Sequence, residues 1–227
     1  MLSFDPVSGP AKLNVALWGP SGAGKTYTGM ALAHQLGQRV AILDTEHRAS
    51  ALYTSRFPAH IAEIQPPFAP ERFLEAIQAA EAAGYDVLMI DSLSPEWDGP
   101  GGCLDWVAHA KTQGVKSHQA WNTITPRHDA LLSAINRTSL SIVVTLREKP
   151  RVIVGPGHDG KVTVQAGEPT PIMRERYEYE YDVVLRIDAA HRVTAVKSRL
   201  FSVPEGTTLL ADGALLERVR TALHAAK

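Results

Sequence analysis

The octapeptide Gly19-Pro20-Ser21-Gly22-Ala23-Gly24-Lys25-Thr26 constrains this chain more than any other stretch. It is a Gly-x-x-x-x-Gly-Lys-Thr loop, preceded by the apolar run from Leu13 to Trp18 and followed by a helix-like run from Tyr27 to Leu36. Strand, glycine-rich loop and helix in that order form a phosphate-binding loop. Gly19, Gly22 and Gly24 let the backbone bend so that successive N–H groups point inward at phosphate oxygens, at the positive end of the following helix. Lys25 is placed to reach the β- and γ-phosphates, and the Thr26 hydroxyl to ligate Mg²⁺. Gly19 through Thr26, with Tyr27 just beyond, are therefore the candidate contacts of a nucleoside triphosphate, ATP with Mg²⁺.

The rest of the chain alternates strands and helices. Residues 39–44 form a second apolar run ending in Asp44, and 61–64 could add a short strand. Residues 70–83 read as a helix, with Pro70 at its first position and Gly84 closing it. A third buried strand runs from Tyr85 to Asp91. Pro95 to Gly102 reads as a loop, 104–110 and 120–135 as helices, and 139–146 as a fourth strand. An extended hairpin follows over 149–165, then strands at 182–187 and 192–196. A closing helix spans 214–226, with Asp212 as its cap and Leu215, Leu216, Val219 and Leu223 inward. Tyr177, Tyr179 and Tyr181 alternate as in a strand that packs one aromatic face. This order predicts an α/β fold with a mainly parallel sheet, helices on both faces and a β-hairpin near the C-terminal strands. At 227 residues the length prior gives one domain, with 1–10 as a flexible arm and 147–176 as a mobile hairpin.

Two acids stand at strand ends. Asp91 is the expected second metal-site acid, reaching Mg²⁺ directly or through water. Glu46, in Asp44-Thr45-Glu46-His47, suits the carboxylate that orients or deprotonates the attacking water in hydrolysis. It could instead be a first-turn acid of a helix capped by Thr45.

Leu43-Asp44-Thr45-Glu46-His47, with Tyr53 seven residues after Glu46, resembles the matching stretch of RecA-type recombinases. The resemblance implies that Glu46 is catalytic and that Tyr53 stacks on adenine. Val144-Thr145-Leu146-Arg147 falls where those proteins carry a strand ending in a γ-phosphate-sensing Gln. Thr145 departs from that pattern and is too short to act except through water. Lys197-x-Arg199 is similar to the Lys-x-Arg pair that RadA-type and ring-helicase ATPases insert into a neighbour's site, which implies catalytic roles in trans for Lys197 and Arg199. Asp91-Ser-Leu-Ser94, Thr145-Leu-Arg-Glu-Lys149 and Tyr179-Glu-Tyr-Asp-Val183 resemble phage-encoded minimal RecA/RadA-like ATPases, some of them single-strand annealing recombinases. The resemblance spans about 11–201 and implies a RecA-like P-loop ATPase core that assembles as a ring or filament, binds single-stranded DNA, and has a single-strand-binding protein as a candidate partner.

Composition limits where DNA could bind. The net charge of −1 gives no global basic field, so any nucleic-acid site must be a local patch. Two stretches qualify. Residues 97–118 carry Lys111, Lys116 and His118. Residues 147–176 carry Arg147, Lys149, Arg151, Lys161, Arg174 and Arg176 against Glu148, Asp159, Glu168 and Glu175. Basic groups on a glycine-rich hairpin suit backbone contacts to a single strand, although a solvated surface hairpin would look the same. The nine histidines show no metal-ligand spacing, and the lone Cys103 excludes an internal disulfide and fits a reducing cytoplasm, bacterial or that of a phage-infected host. No basic leader precedes an apolar run and no run reaches membrane-spanning length, so a soluble protein is expected. Two alternatives remain: an ATP-gated scaffold or loader, and a P-loop kinase.

Overall fold

The structure is a computed structural model and describes residues 12–156, 162–200, 202–210 and 213–225. The N-terminal arm, Asp159, Lys161 and Asp212 lie outside the described residues, as do the side chains of Val219 and Leu223. In chain order the elements are β1 (Asn14–Gly19), α1 (Lys25–Leu36), β2 (Val40–Asp44), a 3-10 turn (Ala49–Tyr53), β3 (His60–Glu63), α2 (Pro70–Ala82), β4 (Val87–Asp91), α3 (Ser94–Asp98) and α4 (Cys103–Thr112). There follow α5 (Ser117–Arg137), β5 (Ser141–Pro156), β6 (Val162–Pro171), a second 3-10 turn (Tyr177–Glu180), β7 (Val183–Ile187), β8 (Arg192–Ser198), β9 (Thr208–Leu210) and α6 (Gly213–Ala225).

The sheet runs β3-β2-β4-β5-β1-β7-β8-β9, with β6 paired to β5. From β3 to β7 neighbouring strands are parallel; β8, β9 and β6 pair antiparallel. The parallel strands β1, β2 and β4 are buried along their whole length because helices cover both faces, which is why they read as unbroken apolar runs. Alternate residues feed opposite cores. Ala16, Leu43, Ile90, Val144 and Val184 pack with Phe73 and Ile77 of α2 and Leu131 and Ile135 of α5. On the other face Val15, Leu17, Ile42, Met89 and Val143 meet Met30 and Leu32 of α1 and Leu215 of α6. Each fully buried Val, Leu, Ile, Met or Phe among these contributes about 1.5–3 kcal/mol of transfer free energy.

Two sequence expectations are corrected. Pro95 to Gly102 is not simply a loop: Pro95 sits in the first turn of the short helix α3, whose Glu96 is buried in the core. The tyrosines do not line a strand, because Arg176 takes a left-handed conformation (φ 68°) and starts a 3-10 turn. Tyr181 is buried, Tyr177 half-buried and Tyr179 exposed. The hairpin expected over 149–165 is present as the antiparallel β5–β6 pair, and it is continuous with the core: β5 is one 16-residue strand whose first half is in the central sheet and whose second half leaves it as a ribbon with β6. The short strand β9, which has no sequence signal of its own, extends the sheet beyond β8.

The topology brings the C-terminal ends of four strands to one edge. Asp44 pairs in register with Asp91, and Gly19 with Arg147. Since β5 lies between β1 and β4, the acid at the end of β4 stands two strands away from the phosphate loop.

Candidate nucleotide site

The phosphate loop connects β1 to α1, and its glycines are demanded by specific geometry. Gly24 caps α1 in a left-handed conformation (φ 93°) that only glycine adopts without strain. At Gly19 a Cβ would lie 2.1 Å from the Ile187 carbonyl oxygen of the neighbouring strand. His191, in the turn between β7 and β8, donates from Nδ1 to the Ala23 carbonyl at 2.8 Å and props the loop from behind. Nothing in the local sequence marks His191 for that role.

Lys25 Nζ donates to the Gly19 and Pro20 carbonyls at 2.9 and 2.8 Å. Burial lowers its pKa, and the carboxylates of Asp91, Glu46 and Glu148 partly offset that. Thr26, in the first turn of α1, donates its hydroxyl proton to Asp91 Oδ2 at 2.7 Å. Asp91 is 2% exposed and burial raises its pKa; the hydroxyls of Thr145 and Thr26 pull it back. Thr145 donates to the other oxygen, Asp91 Oδ1. Thr145 is thus fully buried behind the acid, on the strand that separates β4 from β1. It orients Asp91 from behind and is not among the residues that line the cleft.

Glu46 is presented by a loop braced on Asp44. The buried Asp44 carboxylate accepts from the backbone N–H of Glu46 (2.8 Å), Arg48 (2.9 Å) and Ser50 (3.2 Å), and from the Ser50 hydroxyl. A carboxylate at a strand end that gathers the next N–H groups is an Asx turn, and Asp-Thr-Glu after an apolar run carries its signature. Thr45 ties the same loop to β4: its N–H donates to the Asp91 carbonyl at 2.8 Å and its hydroxyl to the Ser92 carbonyl at 2.9 Å.

A cleft of about 450 Å³ opens over these groups. It is lined by Gly19, Ser21, Gly22, Gly24, Lys25, Thr26 and Tyr27 of the loop and α1, by Glu46 and Tyr53, and by Asp91 and Ser92. Ala49, Arg147, Glu148 and Ile172 complete it. Pro20 and Ala23 belong to the loop but not to the lining; Ala23 is packed into the core. Tyr53 stands on the 3-10 turn with its ring edge-on to Tyr27, centroids 5.7 Å apart. The hard oxygen donors of Thr26 and Asp91, already in contact at the cleft wall, fit a Mg²⁺ ion carried in by a nucleotide. Bound there, Mg²⁺ would neutralise phosphate charge.

The model of an AAA domain family matches residues 11–211. The chain belongs to this AAA domain family. Comparison with curated proteins finds no match. Among solved structures, the AAA domain is similar to EssC (ATPases 2 and 3) from Geobacillus thermodenitrificans, with TM-score 0.39 and 10% identity. That alignment covers 94% of this chain and 43% of the other, so this chain spans less than half of that protein's length. Among the described residues of the AAA domain, no helix is long and apolar enough to cross a membrane.

Of the remaining sequence candidates one joins this cleft and the others lie outside it. Arg147, read from sequence as a nucleic-acid contact, lines the nucleotide cleft, where its Nε and Nη2 both reach Glu46 Oε1 at 2.8 Å. Arg174 pairs with Asp129 on α5 at 2.6 Å. Lys149 and Arg151 are exposed on the ribbon, and Lys116 is exposed just before α5. Lys197 donates to the Glu178 and Tyr181 carbonyls, each at 2.6 Å, and Arg199 pairs with Asp182 at 2.9 Å. Neither lines this chain's own cleft.

A buried polar trio escapes sequence reading because its members are 7 and 32 residues from Glu96. Glu96 Oε1 accepts from Cys103 Sγ at 3.2 Å and from His128 Nδ1 at 2.9 Å, so α3, α4 and α5 are tied through one carboxylate. The donor types suit a transition metal, but among the described residues three side chains, all interior, leave a tetrahedral set one short. Desolvation and the Glu96 charge push the Cys103 thiol far above its ordinary pKa. Cys103, the only cysteine, should therefore resist iodoacetamide at pH 8 in the native protein and react fully in denaturant; mass spectrometry reads both, and rapid native labelling would show the helices opening.

Proposed function

We propose that this chain is a Mg²⁺-dependent ATPase of RecA/RadA-like type that binds single-stranded DNA and serves recombination, by annealing or strand exchange. One observation carries the ATPase reading: the phosphate loop, the Thr26–Asp91 pair and Glu46, from three separate strand ends, meet in one cleft. Lys25 and the loop N–H groups hold the phosphates. Asp91, oriented by Thr145, takes the metal side together with Thr26. Glu46, on its Asp44-braced loop, accepts the proton of the attacking water. Tyr53 and Tyr27 offer ring surface for the base.

The nucleic-acid part of the reading is supported by the ribbon. It carries Lys149 and Arg151 outward and is continuous with β5, whose Arg147 lines the nucleotide cleft. A strand held by ribbon cations through its phosphates would sit on the same element as the nucleotide site. Lys197 and Arg199 lie outside their own cleft; to serve a neighbouring copy's site in a ring or filament they would exchange the Glu178 and Tyr181 carbonyls and the Asp182 carboxylate for that neighbour's phosphate.

The test is steady-state ATP hydrolysis with Mg²⁺, with and without a single-stranded oligonucleotide, at low and moderate salt. Stimulation by the oligonucleotide that fades as salt rises is the expected result. Slow hydrolysis indifferent to DNA at every salt would replace recombination with an ATP-gated scaffold or loader, a reading favoured by the ion pair that occupies Glu46. Phosphoryl transfer to a small-molecule acceptor would instead show a kinase.

A further inference from the structure

We infer that Arg147 is a γ-phosphate sensor acting within its own chain: it holds Glu46 in an ion pair until a terminal phosphate draws its guanidinium away and frees the carboxylate. This rests on the nucleotide-hydrolysing reading above, with Glu46 as base. The register places Arg147 directly opposite Gly19, where the phosphate loop begins. Its backbone is fixed. The Arg147 N–H donates to Ser94 Oγ at 2.9 Å, its carbonyl accepts from Ile172 N–H at 2.7 Å, and Ser94 Oγ donates in turn to the Ile172 carbonyl at 2.8 Å. Only the side chain is at liberty to move, and it lines the cleft with 46% of its surface exposed.

In the present arrangement Nε and Nη2 converge on a single oxygen, Glu46 Oε1. A carboxylate oxygen already engaged by two guanidinium N–H donors is occupied and poorly placed to take a proton from water. A terminal phosphate carries more negative charge than a carboxylate and offers a guanidinium two oxygens in fork geometry, so it outcompetes Glu46 for Arg147. A diphosphate also ends in a phosphate, but it stops one phosphate short of the γ position and so leaves the pair closed. Once Glu46 is free, the water oxygen bonds the γ-phosphorus, the bond from that phosphorus to the bridging oxygen breaks, ADP keeps the electron pair, and the water proton passes to Glu46. Arg147, now on the γ-phosphoryl oxygens, stabilises the charge spread over them.

An ion pair this exposed adds little to stability, so Arg147→Ala should melt within about 2 °C of the parent. Binding is read with fluorescent ATP and ADP in a Glu46→Gln background, where turnover does not interfere. Adding Arg147→Ala should cut the ATP-over-ADP preference at least about tenfold, with ADP affinity unchanged, and in the Glu46 protein it should lower kcat about 10²–10³-fold. Arg147→Lys, which keeps charge but not the fork, should recover only part. An Arg147→Ala protein that turns over as fast as the parent or faster, or that keeps the ATP-over-ADP preference, would overturn the proposal and reduce Arg147 to a tether. Wild-type turnover by Glu46→Gln alone would remove the base assignment, and with it the release step, whatever the Arg147 variants do.

Discussion

Glu46→Gln should leave nucleotide binding in place and slow hydrolysis by about 10²–10⁴-fold, the usual contribution of a positioned general base. The amide is isosteric, so the loop that Asp44 gathers through the N–H groups of residues 46, 48 and 50 keeps its shape. What disappears is the proton acceptor and the charge that holds Arg147. Affinity for ATP should therefore stay constant or rise slightly, while single-turnover chemistry collapses; a fluorescent-nucleotide titration beside a quenched-flow assay separates the two. The expected signature is a fall in kcat without a rise in KM. Asp44→Asn provides the contrast, since loosening the loop should raise KM and lower kcat together. Parental single-turnover rates in Glu46→Gln would assign water activation to another group, and Glu148, which lines the same cleft, would be the next to test.

The largest effect on stability should come from His128→Ala. His128 is 1% exposed and Glu96 wholly buried, and Nδ1 lies 2.9 and 3.1 Å from the two Glu96 oxygens. Truncating the imidazole leaves a buried carboxylate with only the weak thiol donor of Cys103 and opens a cavity beside Trp97, whose ring centroid is 5.3 Å from that of His128. Removing one partner of such a pair costs about 3–5 kcal/mol. For a chain of this length that is a drop in Tm of about 6–20 °C. Replacing both partners, in Glu96→Leu/His128→Leu, should cost much less than either single change, because no uncompensated polar group remains. Thermal melts of the four proteins close the cycle, and equal, additive losses would show that the pair acts by shape alone.

The contrast between Thr26 and Arg147 shows what is legible in one dimension. Thr26, Lys25 and the glycines stand next to one another in the chain, so their chemistry is written as a motif with its strand and helix attached. Asp91 and Glu46 are nearly as plain, because a parallel strand buried on both faces announces itself as an apolar run and the acid after it must emerge at the C-terminal edge. Tyr53 is placed only by the resemblance to RecA-type proteins, through its spacing from Glu46. For Thr145 the sequence points to the right strand but not to the right partner, since only the order of strands, with β5 between β4 and β1, turns its hydroxyl onto Asp91. Arg147 reads as a nucleic-acid cation because it opens a basic segment. Its partner Glu46 is 101 residues away, and register alone brings them together.

The sequence by itself therefore determined the phosphate loop, the acids at the strand ends beside it, the alternation of strands and helices, and the presence of a basic hairpin. These depend on local spacing, which is the same in the extended chain as in the folded one. Which side chain each acid answers to, that the hairpin is the outer half of a core strand, and that Glu96, Cys103 and His128 share one buried site were decided by tertiary structure. Those facts depend on which strands become neighbours and in what register, and that is set by the burial of two apolar faces of one sheet, a property of the whole chain.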